Sequence, residues 1–274
     1  MIFMEKTYQN PNCIIDAHCH IYPDKIAARA IAGTDGFYGT KAACLGTVTD
    51  LMKQAEASGI GHCIVQSVAT APKQVRSINE FIADAVRDEP RLTGLGTMHP
   101  DSEDPRADLA HIVELGLKGV KLHPDIQAFR IDDPRMMQIY ELCEEQGLPI
   151  LMHTGDYRYD YSNPNRLAPV LRHFDRLTVI GAHLGGWSVW DEAYRELSEF
   201  PNLWVDCSST MPFTTLEKTA ELIRAYGAHR VLFGTDYPMW SPASELAAFR
   251  SLGFREEEMH AILCENAKKA FGLN

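Results

Sequence analysis

Short apolar, β-branched runs alternate along this chain with longer stretches whose apolar positions recur every three to four residues. The first kind reads as buried strand and the second as amphipathic helix. Strands are expected at 13–18, 62–67, 92–97, 119–123, 149–153, 178–183, 203–206 and 231–235. Helices are expected at 47–58, 73–88, 105–115, 133–146, 166–172, 188–199 and 214–226, and the tail 241–274 reads as two or three more covering the outside. Punctuation agrees with the periodicity: Asp132-Asp133-Pro134 suits a helix entry, and Gln146-Gly147-Leu148-Pro149 an exit into a strand. Strand and helix in alternation make a parallel α/β sheet, and eight strands close a (β/α)₈ TIM barrel. An open doubly wound sheet is the alternative. The barrel is preferred because His18, His123, His153, His183 and Asp236 all fall at C-terminal strand ends, which in a barrel converge on one mouth.

Length and composition narrow the reading. The 274 residues fit one barrel of about 250. No linker or shift in composition divides them, so 1–274 is expected to form one domain, with 1–12 a polar leader or strap. A formal net charge of −11 argues against a nucleic-acid groove, and no apolar run approaches the ~20 residues that span a bilayer. Seven dispersed cysteines read as reduced thiols of a cytoplasmic protein. A homodimer or larger homo-oligomer stays open.

Candidate chemistry sits at the strand ends. In Asp16-Ala17-His18-Cys19-His20, two histidines two residues apart share a strand face and can grip one ion, while Cys19 points away into packing. The plainer reading is two histidines capping a strand. His153 ends Ile150-Leu151-Met152, and His183 ends Val179-Ile180-Gly181-Ala182; either alone could be a hydrogen-bonded core residue. Asp236 closes Val231-Leu232-Phe233-Gly234-Thr235 and could cap a helix, but beside an ion it can ligate and accept a proton from water. Lys121 and His123 should both face inward from the fourth strand. Arg158, Trp187 and Trp240, on loops after strands five, six and eight, are expected to meet a small planar or carboxylated substrate. Asp156, Tyr157 and Tyr159 share the first of those loops. His99, His111, His173, His229 and His260 read as surface or packing residues.

Five elements in order now carry a resemblance: Asp16-Ala17-His18-Cys19-His20, Gly119-Val120-Lys121-Leu122-His123-Pro124, Met152-His153-Thr154-Gly155, Gly181-Ala182-His183-Leu184-Gly185-Gly186 and Phe233-Gly234-Thr235-Asp236-Tyr237-Pro238. With the closing Glu265-Asn266-Ala267, they resemble the amidohydrolase superfamily, and within it the amidohydrolase-2 branch that contains aminocarboxymuconate-semialdehyde decarboxylase. The resemblance implies a distorted TIM barrel and one divalent ion, zinc first, with manganese or another divalent ion as the alternative. It implies His18, His20, His153 and Asp236 as metal ligands, with His183 as the catalytic histidine beside Asp236. For Lys121 three readings compete: a carboxylated bridge between two metals, a cationic anchor for substrate, and a structural lysine paired with an acid such as Asp16. One metal, with Lys121 and His123 near the substrate, is preferred on ligand count.

Three functions follow. A hydrolase of a small, carboxylated amide, lactone or ester, working through water activated at the ion, is the main expectation. A non-oxidative decarboxylase using the same site is the alternative. A non-catalytic metal-binding module is the third; it leaves His183 and Lys121 without a task.

Overall fold

The computed structural model describes residues 13–273. The expected leader at 1–12 lies outside them. Nine parallel strands follow one another around a ring: β1 (Ile15–His20), β2 (His62–Gln66), β3 (Leu92–Gly94), β4 (Gly96–Thr97), β5 (Val120–Leu122), β6 (Ile150–Met152), β7 (Val179–Gly181), β8 (Leu203–Asp206) and β9 (Val231–Leu232). Pairing is sequential, β1-β2-β3 and then β4 through β9. The expected third strand is interrupted at Leu95: its first half pairs with β2, its second with β5. Counted as one staves of the ring, β3 and β4 restore the number eight. Closure comes where Ala17 N–H donates to Phe233 O at 2.9 Å, His20 N–H donates to Tyr237 O at 2.6 Å, and Cys19 bridges Tyr237. The architecture is the TIM barrel read from the pattern, and not an open sheet.

The helices form where local chemistry starts and stops them. In α2 (Val48–Ser58) the Thr47 side chain accepts from Asp50 N–H, and Gly59 ends the helix at φ 76°. In α6 (Pro134–Gln146), Asp133 accepts from Arg135 N–H and Gly147 closes at φ 63°. These are the two punctuation marks seen around 132–149. Helices α3 (Val75–Asp88), α4 (Pro105–Glu114), α7 (Pro164–His173), α8 (Trp190–Leu197) and α9 (Leu216–Tyr226) fall at the expected places, each within a few residues. A four-residue turn, α5 (Pro124–Gln127), follows β5. The pattern gave no sign of α1 (Asp24–Tyr38), which follows β1 directly.

Two apolar clusters share the work. The larger fills the shell between strands and helices. The smaller runs down the barrel's interior through Ile15, Ala17, Ile64, Leu151, Ile180 and Leu232, and continues into the last helix. The tail forms α10 (Pro242–Arg250), α11 (Glu256–His260) and α12 (Asn266–Ala270). Instead of lying only on the outside, α12 inserts Ala267, Ala270 and the following Phe271 into the interior cluster, closing the end where the strands begin. Asn266 ties it there, its side-chain N–H donating to Ala228 O and Val231 O, both at 2.7 Å. All seven cysteines are buried and free. Among the described residues no helix is long and apolar enough to cross a membrane.

Candidate metal centre

Strand β1 carries a bulge. Ile15 and Ala17 face the interior, and continued alternation would turn His18 and His20 outward. A register shift between Asp16 and Cys19 reverses the faces, so the histidines turn inward while Cys19 and Ile21 join the outer shell. Asp16 fixes the bulge: it accepts from His18 N–H (3.1 Å), Thr235 N–H (3.0 Å) and the Thr235 hydroxyl (2.5 Å).

Three ligand atoms then meet. His18 Nε2 lies 3.2 Å from His20 Nε2, and Asp236 Oδ1 lies 3.4 Å and 3.6 Å from the two. The far nitrogen decides what His18 offers. Its Nδ1 is 2.9 Å from Asp206 Oδ2, and a carboxylate can only accept, so Nδ1 carries the hydrogen and Nε2 presents a lone pair to the trio. The same logic sets the next pair. His183 Nδ1 donates to the carbonyl of Ser208 at 2.9 Å, leaving Nε2 to accept from His153 Nδ1 at 3.0 Å. The nitrogen left open on His153 is Nε2, which faces the Tyr38 hydroxyl at 3.3 Å. Of the four expected ligands, the structure thus gathers His18, His20 and Asp236 tightly. His153 stands beside them, joined through His183.

Burial governs the charges. It holds His18, His20, His123 and His153 well below the usual imidazole value, reinforced for each by the Lys121 ammonium and neighbouring histidines. His183 is lowered to about 4 by burial, with Asp206 opposing. Burial pushes the Asp236 carboxyl up to about 7, against the Ser209 hydroxyl that donates to its Oδ2 at 2.6 Å. Lys121 is lowered to about 8 by burial. Neutral imidazoles with lone pairs turned toward a carboxylate make a donor set that suits a divalent cation. Two further sets of His and Asp approach one another within ligating distance: His18, His183 and Asp206, and His123, Asp125 and His153.

Backbone strain clusters here as well. His183, Leu184, Ser209 and Asp236 all take positive φ, between 45° and 59°, a conformation costing about 1–3 kcal/mol for a non-glycine residue. The strand ends pay this to aim their side chains into the mouth.

The remaining expected residues divide. Lys121 is buried, its ammonium donating to His18 Nε2 at 3.0 Å. Its suggested pairing with Asp16 is absent, because Asp16 is engaged with Thr235. His123 stacks on His153 with centroids 4.0 Å apart, its Nε2 2.9 Å from the Tyr38 hydroxyl. Lys121, His123, Trp187 and Trp240 line a cavity of about 750 Å³ above the trio. Arg158 does not. Its guanidinium forms a two-pronged pair with Asp156 (2.9 and 2.7 Å), donates to Phe37 O at 2.7 Å and lies over the Phe37 and Tyr38 rings. Arg158 braces α1 against the loop after β6 in this arrangement.

The sequence reading missed Tyr38, Asp206, Ser208 and Ser209. Asp206 and Ser208 had a visible signal, since Val205-Asp206-Cys207-Ser208-Ser209 leaves a strand end as the ligand motifs do. Tyr38 had none, because its helix was not seen.

A family profile described as amidohydrolase matches residues 15–273. The chain belongs to the amidohydrolase family. The resemblance drawn from the five motifs is borne out, including its branch. A 2-amino-3-carboxymuconate-6-semialdehyde decarboxylase from Dictyostelium discoideum is 33% identical over 241 residues, 72% of this chain. That match takes in 66% of the relative, so the chain spans just under two thirds of its length. Among solved structures, an uncharacterized TIM-barrel protein from Bordetella bronchiseptica superposes with a TM-score of 0.77 at 24% identity, over 94% of this chain and 98% of that one. A 5-carboxyvanillate decarboxylase from Novosphingobium aromaticivorans, solved with manganese and 3-methoxy-4-hydroxy-5-nitrobenzoic acid, gives 0.76 at 17%, over 98% and 100%. Both structural matches establish the fold.

Proposed function

We propose that this protein is a divalent-metal-dependent carboxy-lyase, which removes carbon dioxide without oxidation from a small aromatic or conjugated carboxylic acid. The observation that carries the reading is the trio of buried His18 with half-buried His20 and Asp236 at the floor of a cavity, with His183 and Lys121 beside it. The decarboxylase relative favours loss of carbon dioxide over the hydrolysis expected from the sequence. Hydrolysis remains the second reading, since the family description supports it and the same groups would serve.

His18, His20 and Asp236 would hold the ion; His153 would join as fourth ligand through Nδ1, its hydrogen moving to Nε2 opposite Tyr38, which also releases His183 Nε2. Zinc and manganese are the ions to test, the second because the vanillate decarboxylase holds it. When bound, the ion supplies a Lewis acid for substrate oxygens and lowers the pKa of water. The chain's own residues do the rest. Lys121 faces the substrate's anionic end from the floor. The reaction exchanges one proton for carbon dioxide at the substrate carbon. His183, neutral with Nε2 unprotonated, takes a proton from water and delivers it there, Asp236 offsetting the passing imidazolium charge, and the hydroxide left behind regains a proton from solvent as carbon dioxide leaves. Apolar walls limit water, which strengthens each electrostatic contact.

The test loads the protein with each ion and offers it hydroxy- and amino-substituted aromatic acids, and in parallel amides and lactones. Release of carbon dioxide, with deuterium from heavy water at the vacated carbon, is the expected result. Cleavage of an amide or lactone without carbon dioxide would overturn it in favour of the hydrolase.

A further inference from the structure

Helix α1 is amphipathic and is packed chiefly at its last turn, where Arg158 covers Phe37 and Tyr38 and the Tyr38 hydroxyl meets His123 and His153. Of its 15 residues only Ala27 is buried, and neither apolar cluster contains a residue from it. Yet Ile26, Ala30, Ile31, Phe37 and Tyr38 are all half-buried, and every one of them lines the cavity above the metal centre. Across from them stand Ile78 and Phe81 of α3 and Ile126 of α5, also half-buried. A helix face this apolar is stable against water only if something covers it. Here the face is continuous with the catalytic cavity, so what enters the cavity covers it.

Charge marks the two ends of that space. The chain carries a formal net charge of −11, but the cavity's charged lining is Lys25, Arg29 and Lys121 against the single carboxylate Asp236. Lys121 lies at the buried floor. Lys25 and Arg29, one helical turn apart on α1, are exposed at the mouth, and no ion pair involving either is found among the described residues. Thr70, Gln74 and Ser77, which also line the cavity, are neutral. Against the 300–1,000 Å³ typical of sites for drug-sized ligands, about 750 Å³ is more than one substituted benzene ring would fill.

We infer that the substrate is an elongated dianion: an acidic group at the metal end, an apolar body along α1, and a second acidic group held by Lys25 and Arg29. The inference rests on the carboxy-lyase reading for the group at the metal end, and extends it to the class of acid used. Lys25 and Arg29 select the substrate and take no part in the reaction.

Equilibrium binding tests this separately from turnover. Biphenyl-4,4′-dicarboxylate, 4-phenylbenzoate and benzoate are titrated into manganese-loaded protein while tryptophan fluorescence, to which Trp187 and Trp240 of the cavity wall contribute, is followed. The dicarboxylate should bind more than ~10-fold tighter than benzoate, with 4-phenylbenzoate between them. Lys25→Glu with Arg29→Glu, both at exposed positions, should weaken the dicarboxylate by about 10-fold and leave benzoate unchanged. Ala30→Trp, which fills the cavity, should weaken both biphenyl acids and spare benzoate. Equal binding of all three probes, or a charge reversal without effect on the dicarboxylate, overturns the inference. So does a dimer that Ala30→Trp dissociates and that excludes the biphenyl acids, since the α1 face would then belong to a second copy. If the ranking holds but no acid releases carbon dioxide, the carboxy-lyase reading fails and the cavity assignment stands.

Discussion

His18 depends on the partner of its far nitrogen. Asp206 holds the hydrogen on Nδ1 and so keeps Nε2 available. Asp206→Asn should lower ion affinity about 10–100-fold with the three close ligands intact, measured by competition with a chromophoric chelator. His183 acts on the proton instead. His183→Asn should keep its metal by elemental analysis and lose ~10²–10⁴ in turnover. Asp236→Ala and His153→Ala should lose metal and activity together. Away from the centre, Glu245 of α10 is buried, with Oε2 lacking a hydrogen-bond partner. Burial raises its carboxyl from the ordinary 4.5 to about 8. Between those values the folded chain binds a proton that the unfolded chain releases, so this group's contribution to stability falls as pH rises. Glu245→Gln should flatten the pH dependence of Tm across that window and raise Tm by about 2–4 °C at its upper end. At this scale the sequence reading found the ligand types because each histidine or aspartate ends an apolar run. It missed Asp206, since an acid at a strand end looks the same whether it caps a helix or orients an imidazole.

Among the elements, strands were the more legible because both of their faces are buried and the apolar runs are continuous. Helix α1 was illegible for the opposite reason: its apolar residues face a cavity, and Gly33 and Gly36 weaken the helical signal. The bulge in β1 left no trace either, although it decides where His18 and His20 point. Arg158 joins α1 to the loop after β6 through Phe37 O and the aromatic rings. Arg158→Ala should speed amide hydrogen exchange in the last two turns of α1 while the strands keep their protection. The loops after β6 and β7 also meet backbone to backbone. A Cβ at Gly155, where φ is 77°, would lie 2.5 Å from Gly186 Cα. Gly155→Ala should therefore lower Tm and move His153 relative to His183, seen as lost turnover beyond any loss of metal.

Over the whole molecule, the alternation of eight strands carried the barrel into view, and the convergence of polar strand ends carried the place of the site. Its interior closure by α12 was not foreseen, because an apolar helix face reads the same whether it covers a sheet or fills a barrel's end. The ring joins where β9 returns to β1, through few backbone hydrogen bonds. The close trio straddles that joint: His18 and His20 come from the first strand and Asp236 from just after the last. An ion bound there would act as a clasp linking positions over two hundred residues apart in the chain. Its departure would then loosen the circle at its thinnest seam, so demetallation and unzipping of the barrel would become a single event.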